Sequence, residues 1–357
     1  MKNQPYIVIL AGGLGIKLWP QSRYSKPKQF LDLIGTGRTL LQMTFDRFVQ
    51  NYSVDRFMIV TSKRYFQLVK EQLPELEDSQ IIVEPIRRNT GASLALVSYV
   101  IKKLNPNATV VVSPSDQLIV NEIAFFNAIT DAIQVSESSE RLVAVGVEPH
   151  SPDTSCGYIQ YLEQPGQLAM KVKTFTEKPD LELAETFVNS GDFLWNSGIF
   201  IWNNESIIKT IEKNLPELAE VFEEGIPYFG TSDESAYLKK AYSLIKSVSI
   251  NYGILQKSDN VYVVLGQFGW SDLGSWQNLY DLKSKDGSKN VPEGNTLLYD
   301  TENCFVKVNP EKLVVIQGLK NYLVSDNDNV LLICKLGEED KFREFLKDAK
   351  EKGGDYI

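Results

Sequence analysis

Apolar residues in the first 150 positions come in short β-branched runs separated by longer stretches of helical spacing. YIVIL (6–10), RFMIVT (56–61), IIVEP (81–85), TVVVSPSD (109–116) and RLVAVGV (141–147) read as strands. Between them, LLQMTFDRFVQ behind a capping Thr39, the segment from Lys63 to Leu73, and TGASLALVSYVIKKL place apolar residues three and four apart, as a helix with one buried face does. A further helical pattern precedes RLVAVGV. Repeated strand–helix–strand units predict a mostly parallel sheet with helices on both faces.

From Ser151 the rhythm changes. GYIQY, KVKTFTEKP and WNSGIFIW are short strand patterns with a helix near 180–189. Helical spacing returns at 204–214 and 235–246, VYVVLGQF (261–268) reads as a strand, and GWSDLGSW follows as a loop. After the polar stretch KSKDGSKNVPEGN the pattern becomes purely strand-like: NTLLYD, CFVKV, KLVVIQG, NYLVSD and NVLLICK, closed by a charged helix over EEDKFREFLKDAKEK. The expected division is 1–285 for the α/β part and 286–357 for a β-rich C-terminal extension.

Composition narrows the chemistry. The 357 residues carry a net charge of −9, so a phosphorylated ligand would need a local basic site, and non-specific binding to nucleic acid is not expected. Three cysteines without a CxxC pair argue against a disulfide framework or structural zinc. A single histidine, His150, argues against a Ser-His-Asp triad or a His-rich metal site. No apolar stretch approaches a membrane span, and no leader pattern opens the chain, so a cytoplasmic location and no membrane partner are expected. Carboxylates, lysines, arginines and backbone amides are left to carry the function.

The opening loop AGGLGIKLWPQSRYSKPKQF (11–30) follows a strand, bends at glycines and then offers Lys17, Arg23, Lys26 and Lys28. It lacks the GK[ST] ending of a Walker A loop, and Leu18 stands where a dinucleotide fingerprint needs its third glycine. A glycine turn behind a buried strand still lets backbone amides approach an anion closely, which favours phosphate. Glu84-Pro85, Ser115-Asp116 and Ser271-Asp272 also follow strands, and parallel sheets bind ligands beyond the carboxyl ends of their strands. An isolated aspartate is ordinarily a turn or cap residue. Two of them beside a polyphosphate suggest Mg²⁺, which prefers hard oxygen ligands. Glu84, if it faces a base, would suit the adjacent N1–H and N2–H donors of guanine. EKPD (177–180) and WNSG (195–198) offer a carboxylate, an amide and an aromatic ring suited to sugar hydroxyls.

AGGLGIKLWPQSR…PKQF, EPIRRNT, PSDQLI, GYI, FTEKP, WNSGIF and GWSDLGSW occur in this order across residues 6–281. Together they resemble the mannose-1-phosphate guanylyltransferases of the sugar-nucleotidyltransferase superfamily. The resemblance implies a Rossmann-like α/β fold with a mixed, mostly parallel sheet and a small, left-handed β-helix-like C-terminal extension. It implies that the isomerase domain of longer, bifunctional members is absent. It implies in-line attack by mannose 1-phosphate on GTP with Mg²⁺, giving GDP-mannose and pyrophosphate.

Carried over by motif, Ala11, Gly12, Gly13 and Gly15 would line the nucleotide with Glu84, Asn89 and Thr90. Lys17, Lys28, Asp116 and Asp272 would be catalytic, the two aspartates holding the metal. Gly157, Glu177, Lys178 and Asn196 would contact the sugar and its phosphate. The chain departs from the family where Lys17 replaces arginine, Gln117 histidine, Gly91-Ala92 Ala-Pro, Cys156 tyrosine and Asn251 aspartate. Those departures leave open another sugar or nucleotide, or a regulatory paralogue that binds a nucleotide sugar with little turnover. Exposed strand edges in the extension would allow two copies to pair as a homodimer.

Overall fold

The computed structural model describes residues 4–138 and 140–357. The chain forms two compact units, each discontinuous in sequence. The first comprises Met1–Gly12, Leu41–Ser115 and Ile119–Trp270; the second comprises Gly13–Leu40, Asp116–Leu118 and Ser271–Ile357.

The first unit is built on a nine-stranded sheet. Its strands are β1 (Tyr6–Leu10), β2 (Phe57–Ser62), β3 (Ile81–Glu84) and β4 (Thr109–Pro114) and, after the short β5 (Leu118–Ile119), β6 (Leu142–Val147), β7 (Gly157–Leu162), β8 (Met170–Glu177), β9 (Phe193–Asn203) and β10 (Val261–Gly266). Their order is β3-β2-β1-β4-β9-β6-β10-β8-β7. The four strands from β3 to β4 are parallel, as the alternating pattern predicts. β9 enters antiparallel to both β4 and β6, so the sheet is mixed. Strands β1, β2, β4 and β6 are apolar at successive positions because both faces of the sheet are covered.

The helix Thr90–Leu104 shows why. It is buried from Gly91 through Tyr99, more than one stripe of its surface, because it lies between the sheet and a layer of further helices. Truncating Leu94 there would cost about 2–5 kcal/mol. No helix among the described residues is long and apolar enough to cross a membrane.

The second unit gathers the lysine-bearing loop with the strand-rich end of the chain. After β11 (Trp270–Ser271) come β12 (Val291–Glu293), β13 (Thr296–Tyr299), β14 (Phe305–Lys307), β15 (Val314–Gln317), β16 (Tyr322–Asn327) and β17 (Val330–Lys335). β12, β14 and β16 stack in parallel register, Val291 beside Phe305 and Phe305 beside Leu323, and β13 pairs in parallel with β15. β17 turns back antiparallel on β16. Corner residues Asp300, Asn303, Asn321 and Asp328 take left-handed φ between 49° and 60°, which short polar side chains tolerate. Cys304, Val306, Val308, Ile316 and Val324 fill the interior of this stack.

Candidate active site

Three groups of polar residues stand out, two in the first unit and one in the second. Glu84 ends β3 and is only 6% exposed. Ser93 Oγ donates to its Oε1 at 2.9 Å, and Tyr242 Oη donates to the same oxygen at 2.9 Å. Burial pushes the carboxyl pKa up, and the two hydroxyls and nearby Arg87 act the other way. The Tyr242 phenol is pushed well above its ordinary range by the same burial and by the neighbouring carboxylate. Oε2 takes no protein hydrogen bond among the described residues and faces Gly12, where a Cβ would stand 3.9 Å from it. The site therefore offers one open carboxylate oxygen, whereas the sequence suggested a two-oxygen contact to a base edge.

Beside it, Asn89 caps the helix Thr90–Leu104 with φ 67°, its Oδ1 accepting from Thr90 N at 2.8 Å. Thr90 Oγ1 accepts from Ile250 N at 3.1 Å, and Gly91 N donates to Val248 O at 2.9 Å. A Cβ on Gly91 would come within 2.7 Å of that carbonyl, which accounts for glycine at this departure from the family pattern. Ala11 is fully buried, and its N–H is spent on Val60 O at 2.8 Å. What Ala11 contributes is therefore position and not a free donor.

The second group lies across three strands. Gly157 pairs with Glu177 between β7 and β8, and Asn196 lies on β9. A Cβ on Gly157 would stand 3.6 Å from both Asn196 Cβ and Glu177 Oε1, and Asn196 Oδ1 accepts from Gly198 N at 3.0 Å. Asn251 joins them: its Nδ2 donates to Glu177 Oε1, and its Oδ1 accepts from Asn196 Nδ2 at 3.4 Å. The aspartate usual in the family would set two carboxylates against each other here, and asparagine supplies a donor instead. Lys178 follows with φ 45°, exposed and without a hydrogen-bond or ion-pair partner among the described residues. A lysine held in the left-handed region is uncommon, and such backbone strain concentrates at functional positions. Cys156 packs into an aromatic cluster with Tyr158, Phe187, Phe193 and Trp195.

The third group belongs to the second unit. Gly15 has φ 60°, and a Cβ there would strike Ser22 Oγ and stand 3.0 Å from Lys28 Cγ, so only glycine allows this turn. Lys28 is 9% exposed, and its Nζ reaches Asp116 Oδ2 at 3.1 Å, Asp272 O at 3.0 Å and Leu273 O at 3.4 Å. Asp272 is held by a tight turn in which Gly274 N donates to its Oδ1 at 2.9 Å and fully buried Leu273 carries φ 45°. Gly13 lies close by, a Cβ on it standing 4.0 Å from Asp116 Oδ2, and its carbonyl accepts from Gln29 Nε2 at 3.0 Å. Lys17 Nζ pairs with Asp340 Oδ1 at 2.9 Å on the surface.

Because one ammonium already reaches the Asp116 carboxylate and the Asp272 carbonyl, the place accepts positive charge. The described residues contain no group of three or more His, Cys, Asp or Glu able to hold a metal. Here Asp116 presents a carboxylate and Asp272 its backbone carbonyl, hard oxygens of the kind Mg²⁺ takes together with phosphate and water oxygens.

Lys28, Asp116 and Asp272 thus meet in one unit, and Gly157, Glu177 and Asn196 meet in the other. Sequence reading missed Ser93 and Tyr242 as the partners of Glu84, and it noted Asn251 only as a departure. No motif announces the first two. The asparagine in place of aspartate was the available signal for the third.

A glycine turn beside a buried lysine that reaches a carboxylate and two carbonyls suits an anion such as phosphate. The model of the nucleotidyl transferases matches residues 6–289, and the chain belongs to that family. Within it, the chain is similar to mannose-1-phosphate guanylyltransferases. One from Escherichia coli is 34% identical, over 95% of this chain and 73% of the relative, and one from Klebsiella pneumoniae is 33% identical over the same shares. These relatives are longer, and the chain spans about three quarters of their length. Among solved structures, a Thermus thermophilus protein described as a mannose-1-phosphate geranyltransferase superposes with a TM-score of 0.85 at 28% identity, covering 97% of this chain and 99% of that one.

Proposed function

We propose that the chain transfers the nucleotidyl group of GTP to mannose 1-phosphate, giving GDP-mannose and releasing pyrophosphate. The observation that carries this reading is buried Lys28 held between Asp116 and the Asp272 turn, on a loop shaped by Gly15. A phosphate oxygen of the sugar phosphate attacks the α-phosphorus of the nucleotide in line, and the bond to the pyrophosphate oxygen breaks. No covalent enzyme intermediate is needed. The residues contribute positioning and charge neutralisation.

In this reading Lys28 balances charge on the α-phosphate and the departing pyrophosphate, and the backbone around Gly12, Gly13 and Gly15 lets phosphates approach closely. Lys17 adds a second cation. Asp116 and Asp272 would hold Mg²⁺, which supplies charge neutralisation on phosphate oxygens when bound. Glu84 accepts from the base through Oε2, with Asn89 and Thr90 flanking it. Glu177 and Asn196, tied by Asn251 and flanked by Gly157, take sugar hydroxyls, and the unpaired Lys178 ammonium takes the sugar phosphate.

The relatives' names support the choice of sugar and nucleotide. One observation favours a second reading, the same chemistry on another nucleotide: Glu84 Oε1 already accepts two hydroxyls, leaving a single oxygen for the base. Pyrophosphate release, measured with a panel of nucleoside triphosphates and sugar 1-phosphates with and without Mg²⁺, decides between them. GTP with mannose 1-phosphate is expected to be the fastest pair, and a faster pair would select the second reading. Folded protein that releases none with any pair would sink both.

A further inference from the structure

We propose that the C-terminal end of the chain positions the phosphate-binding loop of the second unit through Arg23. This rests on the nucleotidyl-transfer reading above and assigns the strand-rich extension a part in it. Arg23 is 7% exposed and pairs with no carboxylate among the described residues. Its guanidinium is spent on neutral oxygens: Nε donates to Pro20 O at 3.2 Å, Nη2 to Asn327 O at 2.7 Å, and Nη1 to Asn329 Oδ1 at 2.9 Å and to Asp355 O at 2.8 Å. Three of the four acceptors lie more than 300 residues further along the chain.

The contacts are reciprocal. Asn327 Nδ2 donates back to Pro20 O at 2.9 Å, and Asn329 Nδ2 donates to the same Asp355 O at 3.0 Å. Trp19 Nε1 donates to Tyr356 O at 2.7 Å.

A buried cation held by carbonyls alone is costly unless every donor is aimed, and the planar guanidinium fork fixes direction as well as distance. The pinned segment also fixes the glycine turn. Ser22 N donates to Leu18 O at 3.0 Å, Ser22 Oγ donates to Leu14 O at 3.2 Å, and a Cβ on Gly15 would strike Ser22 and Lys28. Displacing Arg23 therefore moves the backbone that presents Gly13–Gly15 and the stem of Lys28, while Glu84, Glu177 and Asn196 belong to the other unit. Arg23, Asn327 and Asn329 are positioning residues for the nucleotide and not for the sugar.

The experiment uses the full chain with Asn329→Ala, a change at an exposed position that removes the bond from Arg23 to Asn329 and the bond from Asn329 to Asp355, leaving only the direct bond from Arg23 to Asp355. KM for GTP should rise about tenfold, the scale of a lost hydrogen bond to a charged group, with KM for mannose 1-phosphate and the melting temperature nearly unchanged. Asn329→Asp keeps an acceptor for Arg23 and should recover most of the loss. Hydrogen exchange of amides 13–26 should speed up in Asn329→Ala. Should that variant not fold, Asn327→Ala, which cuts the return bond to Pro20, takes its place with the same expectations. An unchanged KM for GTP overturns the proposal, as does a parallel rise in both KM values with a falling melting temperature. A wild-type chain without turnover on any substrate pair refutes the reaction and not the clamp. The clamp is then decided by loop exchange, and equal exchange in wild type and variant refutes it.

Discussion

Glu84 in the first unit and Lys28 in the second are both charged side chains with little exposure, and they are stabilised in opposite ways. Glu84 has neutral partners: two hydroxyls converge on one oxygen, and burial raises the pKa. Lys28 has a charged partner, Asp116, and two carbonyls. A carboxylate held by hydroxyls keeps one fixed direction and an open lone pair, which suits reading a neutral hydrogen-bond edge. An ammonium held by a carboxylate can exchange that partner for a phosphate oxygen, which suits charge that appears and leaves during a reaction. In the proposed reaction, the same contrast would separate the interactions that set specificity from those that set rate.

The largest expected effect falls on the rate-setting side. Asp272→Asn keeps the turn but removes the charge, and turnover should drop by at least about 10²–10³ with the melting temperature shifted by only a few degrees. A rate within threefold of wild type in the pyrophosphate assay would show that this aspartate does not serve the reaction. On the other side, Glu84→Gln should lower kcat/KM for GTP by about 10- to 100-fold, the scale of one charged hydrogen bond to a base, and leave KM for the sugar phosphate alone. Equal losses with ATP and GTP would detach Glu84 from base reading.

Tyr242→Phe tests how Glu84 is held. The raised carboxyl pKa means that the ionised form is lost as pH falls through that raised value, so KM for GTP should climb on the acid side. Removing a hydroxyl that favours the ionised form lifts the pKa further. The acid limb of the KM profile should therefore move to higher pH, by about one unit or less. The stability sign is opposite. Ionised Glu84 is a cost to the fold that is present above its folded pKa and is relieved as pH falls toward the ordinary carboxylate value, so the variant should gain stability in mild acid relative to neutral pH. A shift of the limb toward lower pH contradicts the hydroxyl clamp. The smallest effect belongs to Lys17→Arg. Lys17 now pairs with Asp340 at the surface, its side chain 36% and that of Asp340 92% exposed, and such a pair is worth at most about 1 kcal/mol. A guanidinium should change KM for GTP by no more than about fivefold. A hundredfold change would move Lys17 into the same class as Lys28.

Much of this was legible in the chain itself. The first four parallel strands follow from apolar runs spaced by helical patterns, because a doubly covered sheet leaves its composition in the sequence. Asp116 and Asp272 were legible as aspartates after strands and Gly15 as part of a glycine turn, while Lys28 was one of four basic residues in its loop until the family resemblance singled it out. Glu84 was legible as a strand-end carboxylate, but its partners were not, since Ser93 and Tyr242 lie 9 and 158 residues away and neither sits in a motif.

The sequence by itself determined the family, because seven short motifs in a fixed order across residues 6–281 carry the resemblance, whereas the residues alone led only to a glycine loop suited to phosphate and aspartates at strand ends. The tertiary structure alone decided which oxygen of Glu84 stays open, that Asn251 joins Glu177 to Asn196, and that Arg23 is spent on the far end of the chain. Those are matters of direction between segments distant in sequence, and residue spacing along a chain does not carry direction.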